Sequence, residues 1–444
     1  MQKNILLLLV LFQFQSILAQ KTLKQIINET PFSTGYYSPF SYYDSAGKKQ
    51  GFSIQNETNI LKKLKLKPLK HSEYYITGKY EINNLIMLFF SEYWETEDIH
   101  FAILLDKSLN IIDRIDETSY DNAEGFYGVN SWIDYNIITI NTQNIYNNPE
   151  YTVKKYSITN KGFKPIKDQV VIKTPSGIRI RNKPTTQSAL VEKAANLKVF
   201  DYLSITENID STSVFDNGKY LKNFWLKIAT KDSLQQLGYV FGAFAKRHIE
   251  IITNDYNVII DEVSKEDFIT AERNKKDKPS SKKVSDIKEI EAILKNQLIG
   301  DTHEDGYYNI KNILADNGKQ ISADLDECGV TAYYPEHHYL LLECGHSSDY
   351  LINLKNGEDD INRIGNPEYY TPSPQNTFRF NGYYSGQANV HFLEKNIIND
   401  EPEYMLNMSS IIALDYIESY FWIDNTTIFL KIEKIHYKMQ LQEL

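Results

Sequence analysis

Two cysteines, Cys328 and Cys344, carry the most reactive side chains in this 444-residue sequence. The strings beside them, Gly329 to Tyr334 and Tyr339 to Glu343, meet at Pro335-Glu336-His337-His338, a turn midway between the two sulfurs. Antiparallel pairing about that turn sets the cysteines nearly opposite. Opposed residues in a non-hydrogen-bonded pair lie ~4.5 Å apart at Cα, within reach of a disulfide. Closing a loop of about 15 residues contributes roughly 3 kcal/mol on the chain-entropy model. The competing chemistry makes Cys344 a nucleophile with His346, His337 or His338 as base, since residues two apart on a strand share a face. No helix N-terminus stands there to depress the thiol pKa, and a second cysteine at the bridging position competes for the sulfur. The spacing predicts a disulfide.

Metal-ligand residue types gather at His303-Glu304-Asp305, Asp324-Asp326-Glu327 and His337-His338. None has the i,i+4 histidines of a helical zinc site, and none has the alternating Asp/Asn ladder with Gly and terminal Glu of a calcium loop. They read as acidic surface loops. Nor does the chain hold a phosphate-cradling Gly-rich loop, a Gly-x-Ser-x-Gly elbow or a His-Glu-x-x-His helix. The sequence therefore assigns no catalytic residue, no metal and no cofactor.

The elements that would position these residues are mostly strands. Thirty-two Tyr residues, with abundant Ile and Asn, suit pleated surfaces and turns, and 42% hydrophobic against 24% charged residues is ordinary for a globular chain. A net charge of -10 argues against a nucleic-acid partner, because phosphate binding rests on a basic footprint. Lys3, the apolar run Ile5 to Phe14 and the small residue Ala19 have the layout of a signal peptide, so residues 1–19 are read as removed and the mature chain as starting near Gln20. That run is too short to cross a hydrocarbon core of ~30 Å, and no later stretch suffices. Gln20 also stands where a lipoprotein would need Cys. The expectation is an exported protein, periplasmic or extracellular, where an even cysteine pair commonly bridges.

Residues 20–166 read as an N-terminal β-rich domain. It has a short helix at Thr58 to Leu64, a hairpin of His100 to Leu105 with Asn110 to Ile115, and strands at Trp132 to Thr142 and Tyr151 to Ile158. Residues 264–285 read as a basic flexible linker. Arg273 to Lys283 contains five Lys and no apolar residue, and such a segment cannot offset its ordering entropy; it could touch acidic polymers or phospholipid head groups. Residues 286–444 read as a C-terminal helix and β-rich domain. Asp286 with Glu289 makes a capping pattern, Ile287, Ile290, Leu294 and Leu298 form one stripe of a helix near 286–298, and strands recur from Gly329 on.

Between the outer domains, Gly177 to Pro184, Phe224 to Ile228 and Gly238 to Phe244 show apolar alternation bounded by turn residues, with Ile178 and Ile180 on one face and Arg179 and Arg181 on the other. Ile178-Arg179-Ile180-Arg181-Asn182-Lys183-Pro184, then Trp225 opening a middle strand, then Gly238-Tyr239-Val240, stand in the order of the bacterial SH3-like domain family, which residues 170–249 resemble. Arg179 stands where that family has Asn, and Tyr239 where it has Trp. The resemblance implies a small barrel and a binding role, with peptidoglycan peptides or an envelope protein as partner; with a hairpin of Ile249 to Ile252 and Val258 to Val263 after it, the barrel makes up residues 167–263. Tyr202, Trp225, Tyr239 and Phe244 are the candidate ligand-binding aromatics. Leu351 to Gly357 followed by Thr371 to Asn376 also resembles a β-propeller blade, and Trp132-Ile133-Asp134 echoes Trp422-Ile423-Asp424.

The expectation is thus a mainly β, multi-domain protein, with a central SH3-like small barrel flanked by two β-rich domains and one short helix. Its function reads as a non-catalytic binding or adaptor role. A secreted hydrolase with an unrecognised site and a structural envelope component are the alternatives.

Overall fold

The computed structural model describes residues 21–31, 51–68, 70, 72–94, 97–122, 127–144, 150–205, 213–216, 218–229, 237–276, 281–302, 308–321, 325, 327–398, 401–412, 417–432 and 434–444. The signal-peptide reading, His303-Glu304-Asp305, and Asp324 and Asp326 lie outside them. The chain is mainly β, built of several antiparallel sheets and a few short helices. It divides into two compact units. One comprises Met1–Ile166 with Leu203–Ile205 and Lys227–Tyr239, and the other holds the remainder to Leu444.

In the first unit nine strands follow one another in chain order as an antiparallel meander, from Phe52–Ser53 to Gly162–Pro165. The run Leu85 to Phe90 explains its layering. Leu88 and Phe90 pack with Tyr74, Ile76, Phe101, Ile103 and two helices, Leu23–Glu29 and Thr58–Lys63. Met87 and Phe89 pack on the opposite face with Ala102, Leu104, Ile133, Ile138 and Ile158. A strand covered on both faces needs an unbroken apolar run, which this one has. Thr22 starts the first helix with a capping box shared with Gln25. The hairpin read around Asp106 forms between Glu97–Asp106 and Ile111–Asn122, with Asp106 Oδ1 accepting from the Asn110 amide at 2.8 Å. Trp132 to Thr142 is not one strand. Tyr135 adopts φ 53, so the chain turns over Tyr135-Asn136 and pairs Tyr127–Asp134 with Ile137–Asn144.

The chain beyond Ile166 is organised around an eleven-stranded sheet. Its order is Leu190–Ala194, Ile178–Arg181, Leu237–Phe241, Trp225–Ala229, Val199–Ile205, Lys167–Ile172, Ala245–Ile252, Tyr256–Val263, Ile435–Glu443, Thr427–Ile432, Ile417–Trp422. All three SH3-like strings lie in strands, but these strands form no closed barrel. Tyr256–Val263 pairs over its whole length with Ile435–Glu443, so the sheet runs on into the end of the chain. A partner nearly two hundred residues away leaves no local signal.

The stretch 264–285 is not linker throughout. Ser264 Oγ accepts the Asp267 amide at 3.0 Å and starts a helix, Lys265–Glu272, whose Phe268 is buried against Phe421, Phe429 and His436. Its sequence has one inward apolar anchor, too few for a periodic stripe. Beyond the linker the helix read near 286–298 spans Ile287–Leu294, capped by Asp286 on the Glu289 amide. Lys295 at φ 49 ends it, and Leu298 opens a strand instead. A three-stranded meander and two four-stranded meanders follow, the last two being Gly329–Asp359 and Thr371–Asn407 in extent.

Candidate functional site

Around the cysteines the sheet register decides the chemistry. Gly329 pairs with Glu343 and Tyr334 with Tyr339, so Cys328 and Cys344 stand on the next rung, and they are joined by a disulfide. Both sulfurs are therefore spent, and the reading of Cys344 as nucleophile is withdrawn. The histidines do not converge on it either. His337 stacks on Tyr339, His338 Nδ1 lies 2.8 Å from the Tyr333 hydroxyl, and His346 is exposed. Among the described residues no three His, Cys, Asp or Glu side chains are grouped as metal ligands. Cys328 and Cys344 pack among Val284, Ile290, Leu294 and Tyr333, so the bridge lies in the core that the helix Ile287–Leu294 shares with its sheet. Replacing both cysteines with Ala should cost about 3 kcal/mol in urea unfolding without loss of the fold. Two alkylatable thiols in non-reduced protein would contradict the bridge.

The four candidate aromatics occupy different settings. Trp225, 3% exposed, lies 5.5 Å from Phe241 between ring centroids, a core position. Tyr239 and Phe244 are half-buried, the latter 6.1 Å from Phe241. Tyr202 lies beneath the Arg247 guanidinium, 4.1 Å from its ring centroid. Arg247 Nε and Nη2 donate to the Asp168 carboxylate at 2.8 and 2.6 Å. Burial pulls the Arg247 pKa down, but the Asp168 charge and hydrogen bond outweigh it, and the guanidinium stays charged. Burial also pushes the Tyr202 hydroxyl above its ordinary range. Tyr202 thus belongs to a charged network inside the unit.

Sequence reading takes Asn208 to Leu221 as a long insertion bordering the site, without singling out the two most exposed aromatics in it. Between Val199–Ile205 and Trp225–Ala229 a separate hairpin, Ser213–Asp216 with Lys219–Lys222, pairs Phe215 with Tyr220. Their rings lie 5.0 Å apart at 62% and 74% exposure. The signal available was alternation, Val214-Phe215-Asp216 against Tyr220-Leu221, across a Gly218 turn at φ 78.

A second feature is a cleft of about 780 Å³, within the size range of small-ligand sites. Glu272, Lys275 and Lys276, just past the helix Lys265–Glu272, form one wall. Thr371 to Pro374 with Asn376 form another, and Ser419 to Trp422 the floor. Three of the cleft's polar side chains are already engaged. Trp422 Nε1 donates to Thr371 O at 2.8 Å, the Tyr420 hydroxyl donates to Tyr369 O at 2.9 Å, and Ser373 Oγ donates to Asn425 Oδ1 at 2.7 Å. Burial pushes the Tyr420 hydroxyl up to about 12, so it remains a donor. Lys275 and Lys276 are exposed, and neither makes an ion pair among the described residues.

No family model and no curated protein matches this sequence. Among solved structures, the WD40 domain of SCAP from fission yeast aligns over 84% of this chain and 74% of that one, at 8% identity and a TM-score of 0.12. A likeness of that size carries no argument about fold.

Proposed function

We propose that this chain is an exported, non-catalytic binding protein whose SH3-like region takes extended peptides, with peptidoglycan peptides or an envelope protein as the ligand class. The observation that carries this reading is the exposed Phe215–Tyr220 pair. Two large rings held out in water on a two-stranded hairpin bury nothing within their own unit's core, and rigid aromatics of this kind supply contact area at low entropic cost. Lys219 and Lys222 flank them and would suit acidic groups on a ligand. The order of the three SH3-like strings, each now on a strand, supports the family resemblance. The four-stranded meanders likewise support the blade resemblance, since a blade is a four-stranded antiparallel sheet. A disulfide supports export, because such bridges persist in oxidising compartments. Among the described residues no helix is long and apolar enough to cross a membrane.

Titrating the full chain with soluble wall peptides by calorimetry tests the reading. Binding should fall in the micromolar to millimolar range of a shallow site, roughly -8 to -4 kcal/mol. Phe215→Ala and Tyr220→Ala should each weaken it by about 1 kcal/mol or more while leaving the melting temperature almost unchanged. No heat with wall peptides, or equal affinity in both variants, would refute it.

A further inference from the structure

The cleft beside Lys275 and Lys276 opens onto the end of the eleven-stranded sheet. Ile417–Trp422 is the last strand in the order, with a neighbour on one side only. Its hydrogen-bond alternation follows from one contact: the Ile423 amide donates to Thr427 O at 3.1 Å, so Ile423 and Phe421 direct their backbone groups inward to the neighbouring strand. Tyr420 and Trp422 direct theirs outward, and the Lys276 amide indeed donates to Trp422 O at 3.2 Å. One strand-edge bond is thus already made from within the cleft. The next outward-directed groups belong to Tyr420, and residues Ser419 to Trp422 line the space.

From this geometry we infer that the cleft binds the free C-terminal end of an extended peptide, which adds to the edge strand Ile417–Trp422 and places its carboxylate at Lys275 and Lys276. Three observations converge on that occupant. An open sheet edge is matched by main-chain amides and carbonyls, which a peptide carries. Lys276 occupies Trp422 O, so an added strand must end at that level, and two lysines without a carboxylate partner among the described residues stand where it ends. Lysines select a terminal carboxylate over a terminal amine. Beneath, the half-buried Tyr420 and Pro372 offer ring surface, while Phe421 and Trp422 are buried; the side-chain polar atoms of Tyr420 and Trp422 are already bonded, which suits an apolar C-terminal side chain and gives the successive hydroxyls of a saccharide little to bond.

The site is separate from the Phe215–Tyr220 hairpin, and its test is chosen so that either can fail alone. The probe is a fluorescein-labelled pentapeptide pool, randomised at four positions and ending in leucine. It is offered to the full chain as the free acid and as the C-terminal amide, and followed by fluorescence polarisation. The acid pool should bind at least tenfold tighter than the amide pool. The double variant Lys275→Ala/Lys276→Ala should abolish that difference, while Phe215→Ala leaves it intact. Both lysines are exposed, and unchanged circular dichroism of the double variant confirms that loss of binding is local. Equal binding of acid and amide, a difference that survives the double variant, or selective binding of oligogalacturonate in place of peptide would each overturn the inference.

Discussion

Replacing Arg379 with alanine is expected to destabilise the second unit by about 3–5 kcal/mol at pH 7, among the largest effects that one substitution in this chain can have. Arg379 and Glu394 face each other on adjacent strands, Phe378–Tyr384 and Asn389–Ile398, with side chains 4% and 0% exposed. Arg379 Nε donates to Glu394 Oε2 at 2.6 Å, and the guanidinium lies 3.8 Å from the Tyr370 ring centroid. Asn381 Nδ2 adds a bond to the same carboxylate oxygen at 3.3 Å, while Glu394 Oε1 has no hydrogen-bond partner among the described residues. Burial pushes the Glu394 carboxyl up to about 7, and Arg379 opposes that rise. Without Arg379 the folded state must hold Glu394 protonated, whereas the unfolded chain ionises it above about 4.5. Below about pH 7 both folded proteins hold that proton, and above it the wild type releases it while the variant does not, so the variant's deficit should grow as pH rises through about 7 and level off below it. Urea unfolding at pH 5 and pH 7.5 measures both. The double variant Arg379→Met/Glu394→Gln, which leaves no buried charge, should recover most of the loss. A deficit below about 1 kcal/mol at pH 7.5, or one equal at the two pH values, would show that the pair is not the buried charge couple described.

The parts of this fold that were legible in the sequence share one property: their cause is local. Pro335-Glu336-His337-His338 centres the hairpin that brings Cys328 to Cys344, and a local register was enough to foresee the bridge. Asp286 capping the Glu289 amide was likewise readable from a four-residue pattern. What could not be read depends on distant partners. Tyr256–Val263 reads as half of a hairpin, and nothing near it announces that Ile435–Glu443 will continue the sheet. The helix Lys265–Glu272 holds one buried residue, Phe268, whose partners Phe421 and Phe429 lie more than 150 positions away. Site residues divide the same way. Trp225 was identified by motif, but only packing against Phe241 shows that its ring is core. The insertion Asn208 to Leu221 was legible as a border of the site, but Phe215 and Tyr220 within it were not singled out, because a four-residue strand scarcely registers as a period and their exposure is a property of the fold. The cleft was illegible for a stronger reason: its walls come from residues near 275, 373 and 421, and one wall lay in a stretch read as solvated spacer.

Acidification from pH 6.5 to pH 4 should loosen the first unit more than the second, with His100 as the cause. His100 is 6% exposed and stands opposite Ser91 on one neighbouring strand and Ser119 on the other, in the row that continues the Ala102 and Leu104 face. Its Nδ1 has no hydrogen-bond partner among the described residues, and the flanking Ser91 Oγ is buried without one as well. Neither serine is a carboxylate, so no partner rewards an imidazolium there, and burial pulls the His100 pKa down to about 4 from 6.5. The sign follows directly. The unfolded chain takes up a proton near 6.5 and the folded chain only near 4, so the stability present above pH 6.5 is lost as pH falls through that window. The full loss is about 3 kcal/mol. In the second unit His391 and His436 are depressed in the same way, but Glu394, raised to about 7, and Asp349 and Asp359, raised by burial, work against them there, since carboxyls raised above their ordinary range add stability as pH falls. Hydrogen exchange read by mass spectrometry should therefore show protection falling across Leu85–Trp94 and Glu97–Asp106 between pH 6.5 and 4, after correction for intrinsic exchange. Protection across Phe378–Tyr384 should change less. His100→Gln, which keeps a neutral polar side chain in the row, should flatten the response of the first unit and leave that of the second as it was. An unaltered pH profile in that variant would move the acid sensitivity to some other group.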